Sequence, residues 1–402
     1  MMNKLFMIVV SVCCLLMTAC GTENDETPQG FRIVDTDVDL VAGGGTVEVA
    51  LQAAGELTAV SGADWCRVIE VTNEKITLLA RANYEYVSRA TQVTVSDGSN
   101  EQKIVVTQAG NIFAPDTDQQ VLRLGNAPSQ IVVRVNSSFD FKVSIQKGVD
   151  WVEVPTASKE EGFLLVLKEN KTGNPRACQL MVSTNEGRKF FYYVYQYEAS
   201  DLLGAWRDSQ IYVKWDTKKI DKAYRLSATE VTKDAEGDGY TLKMSLAGTP
   251  VAQYLKDPSK ATISLQATYE DGAFVVPIGA AQKDFVLMQE VDETANSAMN
   301  RTADDTALEE DVVLQTLYGF SVAASSNIYA KGNFGFAPVL YQDGSIGMSY
   351  QDVAGAPESG CYFAIALFDG QQFSTAALKD YILFPDIALF KYEEKNYRCE
   401  TE

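Results

Sequence analysis

A pattern that occurs twice constrains this chain more than any other feature. Trp65-Cys66-Arg67-Val68 is followed by Asn83, by Arg89-Ala90, by an alternating run through Val93 and Val95, and by an apolar segment ending at Gln108. Trp151-Val152-Glu153-Val154 is followed by Asn170, Arg176-Ala177, Leu180, Val182 and Gln196. The offset is 86 residues from Trp to Trp, 87 from Asn to Asn and from Arg to Arg, and 88 from Gln to Gln. One module of under a hundred residues is therefore present twice, with single-residue changes in loop length. A ligand site distinctive to this protein is expected outside what the copies share.

Each copy reads as short strands and turns. In the first, strands are expected from Phe31 to Leu40, through Val47, Val49 and Leu51 after the turn Gly43-Gly44-Gly45, and then at Leu57–Val60, Ile76–Ala80, Gln92–Val95 and Lys103–Gln108. In the second they fall at Ile131, Val133 and Val135, then at Phe139–Ile145, Phe163–Leu167, Gln179–Val182 and Phe190–Tyr197. Period-2 alternation, β-branched residues and closely spaced turn signals predict antiparallel β-sandwiches over residues 31–110 and 117–198. Asn111 to Asp118, with Pro115, reads as the linker between them.

The order of a Trp before an apolar strand, an Asn, an Arg-Ala strand start and a terminal strand closing in Gln resembles the BACON domain (Bacteroidetes-associated carbohydrate-binding, often N-terminal). The resemblance covers roughly two fifths of the chain. It implies immunoglobulin-like sandwiches and, more loosely, carbohydrate binding or a spacer role. The residues themselves point to structure. Trp65 and Trp151, at one fixed place in each copy, suit core packing. Arg89 and Arg176 suit the closing of a turn, and Gln108 and Gln196 the satisfaction of strand-end backbone groups.

Residues 1–19 carry Lys4 and an apolar run from Leu5 to Met17 broken only by Ser11, the shape of an export signal and too short to be read first as a spanning helix. Met17-Thr18-Ala19-Cys20 resembles the bacterial lipoprotein box, which implies cleavage before Cys20 and lipidation of its thiol. The acidic residues 20–30 then form a tether, and they resemble the signal that places such lipoproteins on the outer face of the outer membrane. The expected location is the outer membrane, lipid-anchored and facing the exterior. Of the remaining cysteines, Cys66 and Cys178 stand at non-equivalent positions, and Cys361–Cys399 either form a bridge or are buried thiols.

The copies differ most at their last strand. Where the first has Lys103, Val105 and Thr107, the second has Phe191, Tyr193 and Tyr195, followed by Tyr197. Period 2 puts these four aromatics on one face, opposite Phe190, Tyr192 and Val194. Such a row either stacks sugar rings or buries itself against the next domain, and its run straight into that domain favours burial. From Asp201 the repeat stops. Residues 200–402 read as a larger antiparallel β-barrel or β-sandwich, with strands expected at Ile211–Trp215, Tyr224–Ala228, Tyr240–Leu246, Thr262–Tyr269, Phe285–Met288, Val312–Ala323, Gly335–Tyr341, Ile346–Tyr350, Cys361–Phe368 and Ala388–Tyr392. Gly204-Ala205-Trp206 resembles the start of lipocalin-like proteins, in which the Trp closes one barrel end. Trp206 and Trp215 join the row as candidate ligand or interface aromatics.

Composition narrows the chemistry. The chain holds no histidine, which removes the usual neutral-pH general base, the commonest metal ligand and every Ser-His or Cys-His pair. With 34 Lys and Arg against 54 Asp and Glu, it would repel phosphate backbones, so nucleic acid is no partner. Asp234-Ala235-Glu236-Gly237-Asp238-Gly239 opens like a calcium loop but has Ser245 at the twelfth position, so it reads as a hairpin turn. The acids between Asp292 and Asp311 read as a solvated helix or loop. Neither a cofactor nor a metal site is expected.

The fold class is thus all-β, with two tandem immunoglobulin-like sandwiches as spacer and a C-terminal head. The expected role is non-enzymatic binding of a polysaccharide or other extracellular ligand by that head. The alternatives are a structural lipoprotein docking on an outer-membrane protein and, third, a carboxylate-based glycosidase.

Overall fold

The computed structural model describes residues 30–117, 120–207, 209–215, 219–226, 229–254, 258–279, 281–290, 312–322, 328–329, 331–357, 362–367, 380–386 and 390–391. The leader, Cys20, the tether up to residue 29, Cys361, Cys399 and the interval 292–311 lie outside the described residues. The protein is all-β. Among the described residues the helical pieces are short 3-10 turns at Ala199–Leu202, Pro250–Tyr254 and Pro258–Lys260. The chain divides into two compact units after Ile112.

The first unit is a sandwich of two four-stranded sheets. One runs in the order Phe31–Ile33, Gly45–Ala53, Lys75–Ala80, Cys66–Val71, and the other Asp37–Leu40, Glu101–Gln108, Arg89–Ser96, Thr58–Ser61. The opening segment, expected as one strand, is two. Phe31–Ile33 pairs antiparallel with Gly45–Ala53, and the chain then crosses to the other sheet, where Asp37–Leu40 runs parallel to Glu101–Gln108. The split lets both Phe31 and Val38 point into the same core, a result one straight strand cannot give. That core is Phe31, Val49, Leu51, Ile76, Leu78, Val93, Val95, Ile104 and Val106, with Cys66 among them. Each fully buried Ile, Leu or Val there contributes about 1.5–3 kcal/mol.

The second unit begins with the second copy. Its sheets run Val121–Leu124, Lys189–Gln196, Arg176–Ser183, Lys142–Ile145 and Ser129–Val133, Gly162–Leu167, Val152–Glu153. The segment read as linker is not one. Phe113–Pro115 pairs antiparallel with Val135–Ser137, and Phe113 is buried in the second module's core. Pro115 is tolerated because it ends a short two-stranded ribbon, where a missing N–H costs little. The expected strand through Val133 and Val135 breaks at Arg134, since Ser129–Val133 belongs to a different sheet from Val135–Ser137.

The rest of the unit is a pair of larger sheets. Eight strands run in the order Ile346–Gln351, Asn333–Leu340, Ala273–Pro277, Thr262–Glu270, Tyr240–Ser245, Thr229–Lys233, Gly204–Arg207, Phe390–Lys391. Seven form the other sheet, with Ile220–Arg225, Gln210–Trp215, Asp380–Asp386, Tyr362–Leu367, Val312–Val322 and Ala281–Glu290 in order and Ile328–Tyr329 beside Val312–Val322. Both sheets bury side chains in one cluster, including Val213, Phe363 and Ile382 from the seven and Leu242, Ile263, Phe274 and Phe336 from the eight. Ala273–Pro277, missed by the alternation criterion, is buried on both faces, so its apolar run carries no period.

Candidate functional site

The residues shared by the two copies form the same polar clamp twice. In the first, the Arg89 guanidinium lies 4.5 Å from the Trp65 ring centroid, and its Nε donates to Gln108 Oε1 at 2.9 Å. Its Nη2 donates to the Arg81 carbonyl at 2.8 Å, while Gln108 Nε2 donates to the carbonyls of Val41, Ala42 and Arg81. In the second, Arg176 lies 4.5 Å from the Trp151 centroid and donates to Gln196 Oε1 at 2.9 Å and to the Lys168 carbonyl at 2.6 Å. Gln196 Nε2 reaches the carbonyls of Asn126, Ala127 and Lys168. Asn83 and Asn170 donate in the same way to loop carbonyls, Val87 and Ala109 in one copy, Asn174 and Gln196 in the other. These side chains are committed to backbone groups that strand ends leave unpaired, which leaves little for a ligand.

The aromatic row faces away from the second module's core. Tyr192 and Val194 belong to that core, whereas Tyr195 and Tyr197 are buried in the cluster of the C-terminal sheets, with Tyr193 packed against it. Tyr195 is 4% exposed and accepts a hydrogen bond from Leu340 N at 2.9 Å. Tyr197 is 3% exposed and donates to the Gly272 carbonyl at 2.5 Å. Tyr193 takes a bond from Gln179 Nε2, and Phe191 lies half-buried with Lys189 Nζ 5.9 Å from its ring. The row thus grades from half-buried to buried along its length. Trp206 is fully buried, its Nε1 donating to the Leu202 carbonyl at 2.9 Å. Trp215 sits at a strand end paired with Ile220 and Asp380.

Where the row ends, a slot of about 450 Å³ opens. One wall is Val121, Arg123, Leu124 and Gly125 with Tyr197 and Glu198; the other is Tyr269, Asp271 and Gly272. Arg123 arrives because Val121–Leu124 runs parallel to the aromatic strand, which sets it beside Tyr195. Its guanidinium lies 5.8 Å from the Tyr195 ring centroid and donates to Gln351 Oε1 at 2.5 Å. Arg123 Nε is buried without a partner among the described residues. Asp271 and Gly272 form the two-residue loop between Thr262–Glu270 and Ala273–Pro277, with φ of 49° and 80°. Loops of that kind match the strand twist and favour Asp-Gly. A Cβ on Gly272 would lie 2.9 Å from Arg123 Cδ and 3.1 Å from the Tyr197 hydroxyl, so glycine is required on steric grounds too.

The seam below the slot is stitched by Asp201, 3% exposed, which accepts from Asn126 Nδ2 at 2.7 Å and from Glu198 N at 2.8 Å. Burial pushes the Tyr197 phenol up strongly, with Arg123 opposing, and burial does the same to Tyr269. Both therefore stay protonated near neutral pH; the Tyr197 hydroxyl is committed to Gly272 and its ring is buried, so Tyr269, partly exposed, is the slot's aromatic face. Glu198 and Asp271 are exposed at the slot's rim. The slot thus offers aromatic surface, a guanidinium N–H and two carboxylates on a framework already held by hydrogen bonds. No set of three or more acidic, Cys or His side chains among the described residues is placed to hold a metal.

The calcium-like segment is a hairpin turn. Asp234 N donates to the Gly239 carbonyl, Asp234 Oδ1 accepts from Thr241 Oγ1 at 2.6 Å, and Gly237 has φ of 80°. Of the slot residues, sequence reasoning found Tyr197 and missed Arg123, Glu198, Tyr269 and Asp271. The Asp-Gly pair after an alternating strand was a usable turn signal. Arg123 had none, because its place depends on a parallel pairing with a strand some seventy residues away.

The fold and the repeated clamp define a protein of tandem immunoglobulin-like modules joined to a larger β domain. Residues 56–109 match the model of the BACON domain, described as "Putative binding domain, N-terminal". No curated protein matches the chain. Among solved structures, a chimeric titin Z1Z2 carrying a decorin peptide is 10% identical over 42% of this chain and 98% of its own, with a TM-score of 0.28. A Bacteroides ovatus GH5 xyloglucanase in complex with a XXXG heptasaccharide is 19% identical over 24% of this chain and 22% of its own, with a TM-score of 0.20. An endo-fucoidan hydrolase of glycoside hydrolase family 107 is 10% identical over 45% of this chain and 30% of its own, with a TM-score of 0.25.

Proposed function

We propose that this protein is a non-enzymatic glycan receptor, anchored by lipid on Cys20 to the outer face of the outer membrane, and that the slot beside Tyr197 is its binding site. The observation that carries the reading is the slot itself, which sets Tyr269 beside planar side chains able to bond adjacent hydroxyls. The match of residues 56–109 to a family described as a binding domain supports a binding role for the protein as a whole, though it falls in the first module and not at the slot. The clamps absorb the shared Trp, Arg, Asn and Gln, so the first module acts as a spacer.

The test is affinity electrophoresis and titration calorimetry of the chain from Gly21 to Glu402 against a broad polysaccharide panel. Saturable binding to at least one glycan is expected, with no release of reducing ends. Silence across the panel would sink the reading. A partner-docking role has one observation of its own: Tyr84, Tyr86 and Val87 are 44%, 61% and 74% exposed on one loop of the first module. Co-purification with an outer-membrane protein, lost on substituting Tyr86 and Val87, would favour that role instead.

A further inference from the structure

We infer, on the glycan-receptor reading, that the slot is a composite site selecting an uncharged, polyhydroxylated ligand, and that the second module is half of the receptor rather than part of the stalk. The walls come from both sides of the seam. Arg123 and Gly125 belong to a strand and loop of the second module and Glu198 to its exit, whereas Tyr269 and Asp271 belong to a hairpin of the C-terminal sheets. Four hydrogen bonds hold the two sides in place: Tyr197 to Gly272, Leu340 to Tyr195, Arg123 to Gln351 and Asn126 to Asp201. The site therefore exists before ligand arrives, and ordering it costs the ligand little. Its volume of about 450 Å³ is that of a small-ligand pocket, enough for a short saccharide segment.

Charge decides the class of ligand. Two carboxylates and one guanidinium line the slot, and that guanidinium already bonds Gln351 through Nη2 and lies over Tyr195. An anionic sugar would meet two like charges at the rim, within a chain of formal charge −20. A neutral polyol instead donates hydroxyls to both carboxylates, accepts from the guanidinium, and lays its C–H face on Tyr269. No side chain then remains charged and unmatched.

The test uses the chain from Gly21 to Glu402 with neutral oligosaccharides (glucan, xylan and mannan series) and with uronate and sulfated oligosaccharides, by titration calorimetry. Three variants accompany it: Asp271→Ala, Glu198→Ala and Gly125→Trp. The first two alter exposed side chains. The third places bulk on the second module's wall, where a Cβ meets only Glu198 Oε1 at 3.5 Å, and thermal melts check that all three remain folded. Expected are binding of a neutral series only, affinity changed less than about twofold between roughly 0.05 and 0.5 M salt, and at least a roughly tenfold loss in each variant. Preferential binding of a polyanion, weakening with salt, overturns the charge assignment. Neutral binding that Gly125→Trp leaves intact overturns the composite site while the receptor reading stands. If nothing binds the full chain, the receptor reading and this inference fall together.

Discussion

Arg176 is the residue on which the second clamp turns. Its guanidinium packs on Trp151 and supplies two bonds to Gln196 Oε1 and one to the Lys168 carbonyl. Truncation strips the buried Gln196 amide oxygen of its donors, so Arg176→Ala is expected to cost about 2–4 kcal/mol in urea unfolding. Arg176→Lys should recover less than half of that, since a point ammonium cannot reproduce a planar fork. Glycan affinity should be unchanged where the variant is folded; a loss of affinity at full stability would move the site to the clamp. Cys178 offers a second reading at this scale. Burial, partly opposed by Arg176, pushes its thiol from 9.0 up to about 12. The folded state then keeps a proton that the unfolded chain releases above about pH 9, so the contribution is full below that pH and fades as pH rises through about 12. Tyr195, Tyr197 and Tyr269 shift in the same direction through burial. Urea midpoints should therefore fall from about pH 8 to about pH 10.5, and fall less steeply in Cys178→Ala. Equal slopes would mean that the thiol is better solvated than its environment implies.

The strand Lys189–Gln196 ties sequence to site most directly. Its alternation was legible: Tyr192 and Val194 to one core, Tyr193 and Tyr195 to the opposite face. Period 2 could not say what that second face meets, because the answer lies in strands as distant as Asn333–Leu340, whose Leu340 N–H binds the Tyr195 hydroxyl. The parallel strand Val121–Leu124 and the crossing between Ile33 and Asp37 were illegible for the same reason: pairing partners far along the chain decide them. Pro115 misled because proline marks linkers and ribbon ends alike. The grading of burial along the row has a measurable consequence. Tyr195→Ala opens a cavity among buried side chains and orphans the Leu340 N–H, and is expected to cost about 3–5 kcal/mol. Tyr193→Ala, at a half-buried position, should cost no more than about half as much. Thermal or urea unfolding of both variants checks the ranking, and a reversed order would contradict the packing described.

At the scale of the whole molecule, repeats in sequence and units of folding do not coincide. The two copies share a clamp, a Trp and a strand plan, and the sequence boundary at 199/200 closes the second copy neatly. In energetic terms the second copy is joined to the C-terminal sheets. Tyr195 and Tyr197 leave its last strand to enter the C-terminal core, Arg123 bonds Gln351, and Asn126 bonds a buried Asp201. The first unit's core, by contrast, is built wholly from residues between Phe31 and Val106. Calorimetry of the chain should therefore show two unfolding transitions, one for the unit ending at Ile112 and one for everything from Phe113 onward. Cutting between Ala109 and Ile112 should leave both transitions within a few degrees of their positions in the intact chain. Cutting at Ser200 should lower or abolish the second, because each fragment would expose tyrosine-lined surface that the other now covers. Three independent transitions, or a melt unmoved by the cut at Ser200, would show that the copies fold as the sequence divides them. The slot would then lie at a loose hinge, where preorganised binding has no physical basis.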